Sequence, residues 1–406
     1  MQVANYEHAG GVLTDSTNLR NLMAFVGVTH PKTHELFSEA LCFGVAGGIG
    51  AGYSFCPSVV RHGMGTGLHI VGRYKAMATD SSWYQEFCDR LELDSHITET
   101  SAKKKALQNL IDELEQGHPT IVWCSRPKIP FILNSHDACD GFMGQFLVSG
   151  VDEGNNVALV NDRAPTKWTL SLEQLAEARA GVCSHKNRTF TLHSTGDVSL
   201  KQLQSAVTLG IRACAESMLR GRIGTFTLAG LDKWVKLIDN DKNKDGWLKL
   251  YRDGLMYRAL RDVYVSIETL SDVGGLHRAL YHDFLVEAAD ILENPTLEEL
   301  AGGYQVLHDR WKELANCALP DDIKPFKAAK ELITKRAKVY AEKGAKGEKT
   351  LGSTTNKLEK VEAEIQNEFP LTEDHIRDIL TDLKEQITFI RNEEAEHAEG
   401  LLAAVA

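Results

Sequence analysis

The chain has 406 residues, which is more than one ordinary hydrophobic core organises, so at least two domains are expected. Apolar residues make up 43% of the chain and charged residues 25%, a balance that excludes a disordered polar chain and is typical of folded globular proteins. The net charge of -11 argues against a general nucleic-acid-binding protein, because such proteins present a basic surface.

The sequence predicts a cytoplasmic protein that does not associate with membranes. Its first residues lack a basic segment followed by an apolar one, so no secretion signal is expected. A run of about 18 apolar residues, which a spanning helix requires, does not occur in the sequence. The eight cysteines are scattered and form no Cys-x-x-Cys pair, which favours reduced, mostly buried thiols.

Residues 1–195 mix helix and strand patterns. Apolar residues three or four positions apart predict helices, over residues 16–26, over residues 101–116 and in a short stretch after Ser38. Ser171 and Gln174 have the spacing of a capping box and predict one more helix. Short runs of β-branched and apolar residues predict strands, over residues 120–123, 146–151, 157–160 and 189–192. The combination indicates an α+β domain.

From Ser199 onward the sequence shows only helix patterns. Ser199 and Gln202 have the spacing of a second capping box, which opens a long helix. Apolar residues at helical spacing predict further helices, over residues 227–238, 248–269 and 275–292 and from Thr296 onward. Residues 196–320 are therefore predicted to form an all-helical domain.

Residues 321–406 are predicted to form a helical hairpin. Residues 324–349 carry nine basic and three acidic residues, whereas residues 359–399 carry thirteen acidic and four basic residues. Residues 346–355, rich in Gly, Ser and Thr, predict a flexible turn between two helices of opposite charge. The last helix has an apolar seam that would be buried within the chain or in a homodimer, formed by Ile376, Ile379, Leu380, Leu383, Ile387 and Ile390.

Two segments near the N-terminus resemble a known family. Residues 11–22, GVLTDSTNLRNL, enter a helix from a small-residue turn, and residues 38–53 read SEALCFGVAGGIGAGY. Together they resemble the family of the butirosin-biosynthesis protein H, and residues 229–234 and 274–281 resemble the helical domain that accompanies it. The resemblance, which extends over residues 8–320, implies a papain-like α+β domain followed by a helical domain. It also implies transfer of an aminoacyl group from a carrier-protein thioester to an amine.

The resemblance implies a catalytic site in which two reactive residues are replaced. The family's nucleophilic cysteine corresponds to Thr14, and the histidine before it corresponds to Leu13. The histidine on a later strand corresponds to Gly144, or to Gln145 if the register shifts by one residue. The acidic residue that precedes an arginine corresponds to Asp162 and is retained. The implied site therefore consists of Thr14, Gln145 and Asp162, with no cofactor and no metal ion.

These replacements change the chemistry that the site can perform. A threonine hydroxyl is a far weaker nucleophile than a thiolate and needs a neighbouring base, which glutamine cannot supply. Groups elsewhere in the chain could substitute for the missing dyad, namely Glu7, His8, Cys56, His136, Asp137 and Cys139. Alternatively, Thr14, backbone N–H groups at the helix start and Gln145 could bind a carbonyl or an oxyanion without a covalent step.

Two functions of different classes follow. We favour an acyltransferase-like or amide-forming enzyme of specialised-metabolite biosynthesis, such as antibiotic biosynthesis, which acts on an acyl thioester or a related small molecule at Thr14. The alternative is a catalytically inactive papain-like protein that binds a metabolite or an acyl carrier protein. An acid–base rearrangement or cyclisation on the same scaffold is a third possibility that the sequence does not separate from the first.

Three other apparent motifs are interpreted as structural. Residues 44–52 are rich in glycine but lack the third glycine of a dinucleotide-binding turn, so a tight turn is expected. Residues 241–246 begin like a calcium loop, but Arg252 stands at the twelfth position, where a bidentate glutamate is needed. Glu394 and His397 form a Glu-x-x-His step without the companion motifs of a di-iron bundle.

Overall fold

A computed structural model describes residues 1–75, 82–132, 143–193 and 196–406. The helices, in chain order, are α1 Thr14–Val26, α2 Glu39–Val45, α3 Pro57–Arg61, α4 Trp83–Leu91, α5 Lys103–Glu115, α6 Leu172–Ala180, α7 Leu200–Arg220, α8 Leu228–Ile238, α9 Trp247–Leu250, α10 Gly254–Glu268, α11 Arg278–Leu292, α12 Pro295–Ala318, α13 Lys324–Lys343, α14 Glu348–Asn367 and α15 Glu373–Ala404. The strands are β1 Ile49–Phe55, β2 Leu68–Arg73, β3 Ser95–Thr98, β4 Thr120–Ser125, β5 Met143–Asp152, β6 Val157–Asn161, β7 Trp168–Ser171 and β8 Thr189–Leu192.

The fold class is α+β, as the sequence predicts. Within the described residues, every strand precedes residue 193 and the chain after residue 199 is helical. The capping boxes at Ser171 and Ser199 are both present, because each serine side chain accepts a hydrogen bond from the backbone N–H three residues later. None of the described helices combines the length and the apolar character that crossing a membrane requires.

The chain folds into two compact units that are interleaved in sequence. One unit consists of residues 1–46, 77–207 and 339–349, and the other of residues 47–76, 208–338 and 350–406. We call them the sheet unit and the helical unit. The sequence predicts domains separated near residues 195 and 320. That division concerns segments able to fold independently, and it stays a prediction.

The sheet unit is built on a six-stranded antiparallel sheet with the strand order β3-β8-β4-β5-β6-β7. Helix α1 packs against β5, where the Nδ2 atom of Asn18 donates a hydrogen bond to the backbone oxygen of Gln145 at 3.2 Å. The central strands are buried along their whole length, since β4 has no exposed residue and β5 has one, at its end. This burial explains why the sequence shows them as continuous apolar runs rather than alternating patterns.

The helical unit contains a two-stranded antiparallel sheet, β1–β2, that the sequence analysis missed. The tight turn expected in the glycine run is present, because Gly47 and Gly48 have φ angles of 110° and 60°. A Cβ atom at Gly48 would lie 2.4 Å from the ring of Tyr281, so the packing requires glycine there. Strand β1 begins directly after this turn at Ile49, in a segment too rich in glycine to show a strand pattern.

A buried ion pair lies in the core of the helical unit. Arg278 on α11 and Glu394 on α15 are both 0% exposed and approach within 2.7 Å, and the Nε1 atom of Trp311 donates to the same carboxylate at 2.9 Å. Glu394 therefore serves as a structural partner of an arginine. His397, the other half of the Glu-x-x-His step, bonds to the backbone oxygen of Glu393 at 2.8 Å.

The region after residue 320 contains three helices where the sequence predicts a hairpin of two. The flexible turn predicted over residues 346–355 is wrong from Glu348 onward, because these residues form the start of α14. Leu351, Thr354 and Leu358 are buried at helical spacing, so packing overrides the turn-like composition. The apolar seam of α15 is buried within the unit at Leu380, Leu383, Ile387 and Ile390, where α15 packs against α8 and α12.

Candidate functional site

The first turn of α1 is closed by the carboxylate of Glu39. Its oxygens accept hydrogen bonds from the backbone N–H groups of Val12 and Leu13 at 2.9 Å each, from the Ser16 hydroxyl at 2.7 Å and from the Thr17 hydroxyl at 3.0 Å. A carboxylate at this end of a helix satisfies unpaired donors and interacts favourably with the helix dipole. This contact explains why α1 begins at Thr14, two residues earlier than the apolar pattern predicts.

Thr14 is the first residue of α1 and is 6% exposed. Within the described part of the chain, its hydroxyl has no hydrogen-bond partner. Asn18 lies one turn later on the same helix face, and its Oδ1 atom is buried without a partner among the described residues. The two side chains thus offer one hydroxyl and one carbonyl oxygen that the scaffold does not use.

Gln145 is the strand residue that faces the start of α1. With its amide oriented to satisfy both neighbours, its nitrogen donates to the Oδ1 atom of Asp15 at 2.8 Å and its oxygen accepts from the Nε1 atom of Trp123 at 3.1 Å. Gly144 is different, because a Cβ atom there would lie 3.0 Å from the Cγ atom of Arg126. The space next to Gly144 is therefore taken by the Arg126 side chain, and a histidine at that position would displace it.

Asp162 is fully buried at the end of β6. One oxygen accepts from the backbone N–H of Ala164 at 2.9 Å and from the Nε1 atom of Trp168 at 3.3 Å, and the other accepts from the Tyr340 hydroxyl. Burial raises the pKa of the Asp162 carboxyl above its ordinary value, although these hydrogen bonds and Arg163 oppose the shift. These hydrogen bonds hold the residues after β6 in place. Among the described residues, the Asp162 carboxylate bonds to no histidine side chain.

Arg126 is a residue beside the predicted site that the sequence analysis missed. Burial lowers the pKa of its guanidinium to about 10, Arg163 acts in the same direction, and the carboxylates of Asp15 and Asp162 act in the opposite one. A partly buried cation thus interacts with the carboxylates of Asp15, on the first turn of α1, and Asp162. Little in the sequence indicates that Arg126 lies beside the site, because an arginine directly after a buried strand is common at sheet edges.

The described substitutes for the missing dyad do not supply a base to Thr14. The Nε2 atom of His8 lies 2.9 Å from the backbone oxygen of Ala164, and its Nδ1 atom lies 3.2 Å from the Nδ2 atom of Asn21, so both ring nitrogens have scaffold partners. Burial lowers the pKa of His8, which favours the neutral ring. Glu7 is exposed, and Cys56 belongs to the helical unit, where its pKa is lowered mainly by a hydrogen bond to Ser58. His136, Asp137 and Cys139 lie outside the described residues.

A second group of polar side chains in the sheet unit was not predicted. We call His96, Glu113, His118 and His193 the histidine cluster. The Nδ1 atoms of His96 and His118 lie 3.0 Å from the two oxygens of Glu113, and the Nε2 atom of His193 lies 3.4 Å from one of them. The sequence analysis gave these four residues no role and assigned no metal ligand.

The fold and the site together define an α+β protein. Its first helix packs on the sheet, and the buried carboxylate of Glu39 accepts hydrogen bonds at the start of that helix. The chain after residue 199 is helical. Residues 14–163 match the model of the family described as "Butirosin biosynthesis protein H, N-terminal", so the resemblance seen in the sequence is confirmed. Residues 172–360 match a second family, described as "Domain of unknown function (DUF4872)". No protein of curated function matches the chain.

Proposed function

We propose that this chain takes part in the biosynthesis of a specialised metabolite by binding an acyl thioester, or the acylated small molecule derived from one, without forming a covalent acyl intermediate. The observation that carries the proposal is the state of Thr14, whose hydroxyl has neither a hydrogen-bonded base nor any other hydrogen-bond partner among the described residues. The family whose model matches residues 14–163 supports a role in antibiotic biosynthesis. A papain-like architecture of the sheet unit is part of the same proposal.

The charge at the start of α1 supports binding over covalent catalysis. A thiolate or an oxyanion at a helix N-terminus is stabilised by unpaired N–H groups and by the helix dipole. Here the carboxylate of Glu39 already takes the N–H groups of Val12 and Leu13 and pairs with Arg20 at 3.7 Å, so a second negative charge would lie close to an anion that has its own cation. We therefore expect the N–H groups of Val12 and Leu13 to be unavailable to an oxyanion of the ligand.

The unpaired polar atoms indicate which hydrogen-bonding groups a ligand would carry. Asn18 is 0% exposed, so the group that a ligand can reach is the Thr14 hydroxyl, which suits either a donor or a carbonyl oxygen. Each amide group of a pantetheine-type thioester arm carries an N–H donor and a carbonyl acceptor. A ligand amide that bonds to the Thr14 hydroxyl would add one neutral hydrogen bond, worth about 0.5 to 1.5 kcal/mol.

The second candidate is an acyltransferase in which Thr14 is the nucleophile. Its support is that the Thr14 hydroxyl is free of scaffold hydrogen bonds, so rotation toward an acyl group breaks none. Proton removal would then need a base that the substrate brings with it, for instance its own amine.

One experiment separates the two candidates. The purified chain is titrated with a panel of N-acetylcysteamine thioesters by calorimetry, and the same mixtures are analysed by intact mass. The proposal predicts binding without a covalent acyl increment, and Thr14→Ala is expected to weaken binding by about threefold to tenfold, the value of one neutral hydrogen bond. Thr381→Ala, which changes an exposed helical threonine, is the matched control and should bind like the wild type.

Two results would decide against the proposal. An acyl increment that is present in the wild type and absent in Thr14→Ala would establish the nucleophile and the second candidate. A failure of every thioester in the panel to bind would remove both candidates.

A further inference from the structure

The histidine cluster lies where the polar face of two paired strands meets a helix. Strands β3 and β8 pair antiparallel with His96 opposite Thr191, and His193 follows Thr191 by two residues. Because side chains alternate along a strand, His96, Thr191 and His193 project from the same face. The Thr191 hydroxyl lies 2.9 Å from the Nε2 atom of His193, which holds the ring at this position. Glu113, near the end of α5, reaches this face.

The ligand atoms of the cluster are close enough to share one ion. One atom each from His96, Glu113 and His193 can be chosen so that all three lie within 4.8 Å of one another. Ligand atoms around a tetrahedral zinc ion lie about 3.4 Å apart, since each lies about 2.1 Å from the metal. Small rotations of the imidazole rings would therefore bring the three atoms to coordination distance.

We propose that His96, Glu113 and His193 bind one divalent transition-metal ion, with Zn²⁺ the expected ion. Two imidazoles and one carboxylate are nitrogen and oxygen ligands that suit zinc and its neighbours in the first transition row. Three protein ligands leave a coordination position for water or another small ligand. The His96 side chain is 52% exposed, so an ion reaches the site from solvent.

His118 is a positioning residue in this proposal. Its Nδ1 atom contacts the Glu113 oxygen that also faces His193, and its ring stacks on the His193 ring with centroids 4.0 Å apart. A neighbour that bonds to a ligating carboxylate and packs against a ligating ring fixes the orientation of both. Removal of His118 should therefore weaken binding without abolishing it.

The burial of Glu113 supports a cation at this position. Its side chain is 9% exposed, and a buried carboxylate is costly unless a positive charge and hydrogen bonds compensate it. Three imidazoles converge on this carboxylate, with nitrogen–oxygen distances of 3.0, 3.0 and 3.4 Å. This inference does not depend on the function proposed for the start of α1.

The test measures metal binding by the full chain directly. Protein freed of metal with a chelator is titrated with ZnCl₂ by calorimetry, and Co²⁺ is added in parallel to record the visible absorption of bound cobalt. The expected result is one zinc ion per chain and a cobalt spectrum that zinc removes. His96→Ala and Glu113→Gln should each weaken zinc binding at least tenfold, and His118→Ala should weaken it by a smaller factor.

A matched control and a fold control keep the proposal falsifiable. His375→Ala removes an exposed histidine from α15 and should leave zinc binding unchanged. Since His96 is half exposed, His96→Ala should keep the wild-type circular dichroism spectrum, and it decides the question if Glu113→Gln does not fold. Zinc binding that is absent in the wild type, or equally strong in His96→Ala and the wild type, would overturn the proposal and leave the cluster as an ion-pair network.

Discussion

Two buried glutamates organise two regions of the sheet unit, and they do so with different partners. Glu39, at the start of α1, accepts hydrogen bonds from backbone N–H groups and hydroxyls, and Arg20 lies 3.7 Å from it, so donors of the scaffold engage its oxygens. Glu113 is surrounded by three imidazoles, which can donate to a carboxylate or turn a lone pair toward a metal ion.

The two regions differ in which polar groups remain free to bind a ligand. At the start of α1, the scaffold uses the carboxylate, and only Thr14 and the Oδ1 atom of Asn18 are left without partners within the described chain. In the histidine cluster, the same type of side chain forms a group that an external ion can complete. Family resemblance directs attention to the first region, whereas the second is visible only once β3 and β8 are paired.

The largest expected effect comes from removing the carboxylate at α1. Glu39→Ala leaves two backbone N–H groups and two hydroxyls without their acceptor, and we expect the free energy of unfolding to fall by about 3 to 5 kcal/mol. Chemical denaturation monitored by circular dichroism measures the change. Glu35→Ala, at a nearby exposed position, should change stability by less than about 0.5 kcal/mol. Equal stabilities of the two variants would show that Glu39 is not a structural cap.

The second effect concerns the histidine cluster. Zinc at about 100 times its dissociation constant should stabilise the wild type by about 2.7 kcal/mol, because the ion binds the folded state. Thermal unfolding with and without zinc measures this stabilisation. His96→Ala should show no zinc-dependent shift at the same concentration. A shift of the same size in both proteins would show that the ion binds elsewhere, and Glu113 would then not differ from Glu39 as a metal ligand.

The third effect separates two threonines three residues apart on α1. Thr17→Val removes a hydroxyl that donates to Glu39, and the loss of a hydrogen bond to a charged group should cost about 1.5 to 3 kcal/mol. Thr14→Val removes a hydroxyl without a scaffold partner and should change the free energy of unfolding by less than about 1 kcal/mol. Denaturant titrations of the two variants provide the comparison. A cost for Thr14→Val that matches the cost for Thr17→Val would mean that the Thr14 hydroxyl is already engaged.

The smallest effect is a pH dependence at His8. Burial, followed by Arg20 and Lys167, lowers the pKa of His8 in the folded protein, although the hydrogen bond to Ala164 opposes the shift. The neutral ring therefore contributes stability above the ordinary histidine pKa of about 6.5, and this stability is lost as the pH falls below that value. His8→Gln should flatten the decline in unfolding midpoint between pH 7 and pH 5. An unchanged pH profile would show that His8 titrates as an exposed histidine does.

Periodicity and capping predicted most of the fold. The helices after Ser199 and the central strands follow from local patterns, because one face of each helix is apolar and the buried strands are apolar throughout. Strand β1 and the start of α14 could not be predicted this way, since both are rich in small residues. Their structure depends on contacts with distant residues, such as the close approach of Gly48 to Tyr281.

The partners of the predicted site residues could not be read from the sequence. Gln145 lies beside the start of α1, where Asp15 and Trp123 hold its amide, and neither contact follows from a local sequence pattern. The role of Glu39 depends on the packing of α2 against α1, which no local pattern states. The histidine cluster joins residues nearly 100 positions apart, so it requires the β3–β8 register, and β3 itself was not predicted.

The central claim is that the start of α1 binds without covalent chemistry, whereas the histidine cluster takes a metal ion. Native mass spectrometry of the full chain, incubated with zinc and with an acyl thioester, tests both parts in one measurement. The account predicts a mass increase of one zinc ion and no covalent acyl increment after denaturation. An acyl increment that disappears in Thr14→Ala, together with the absence of bound zinc, would contradict it.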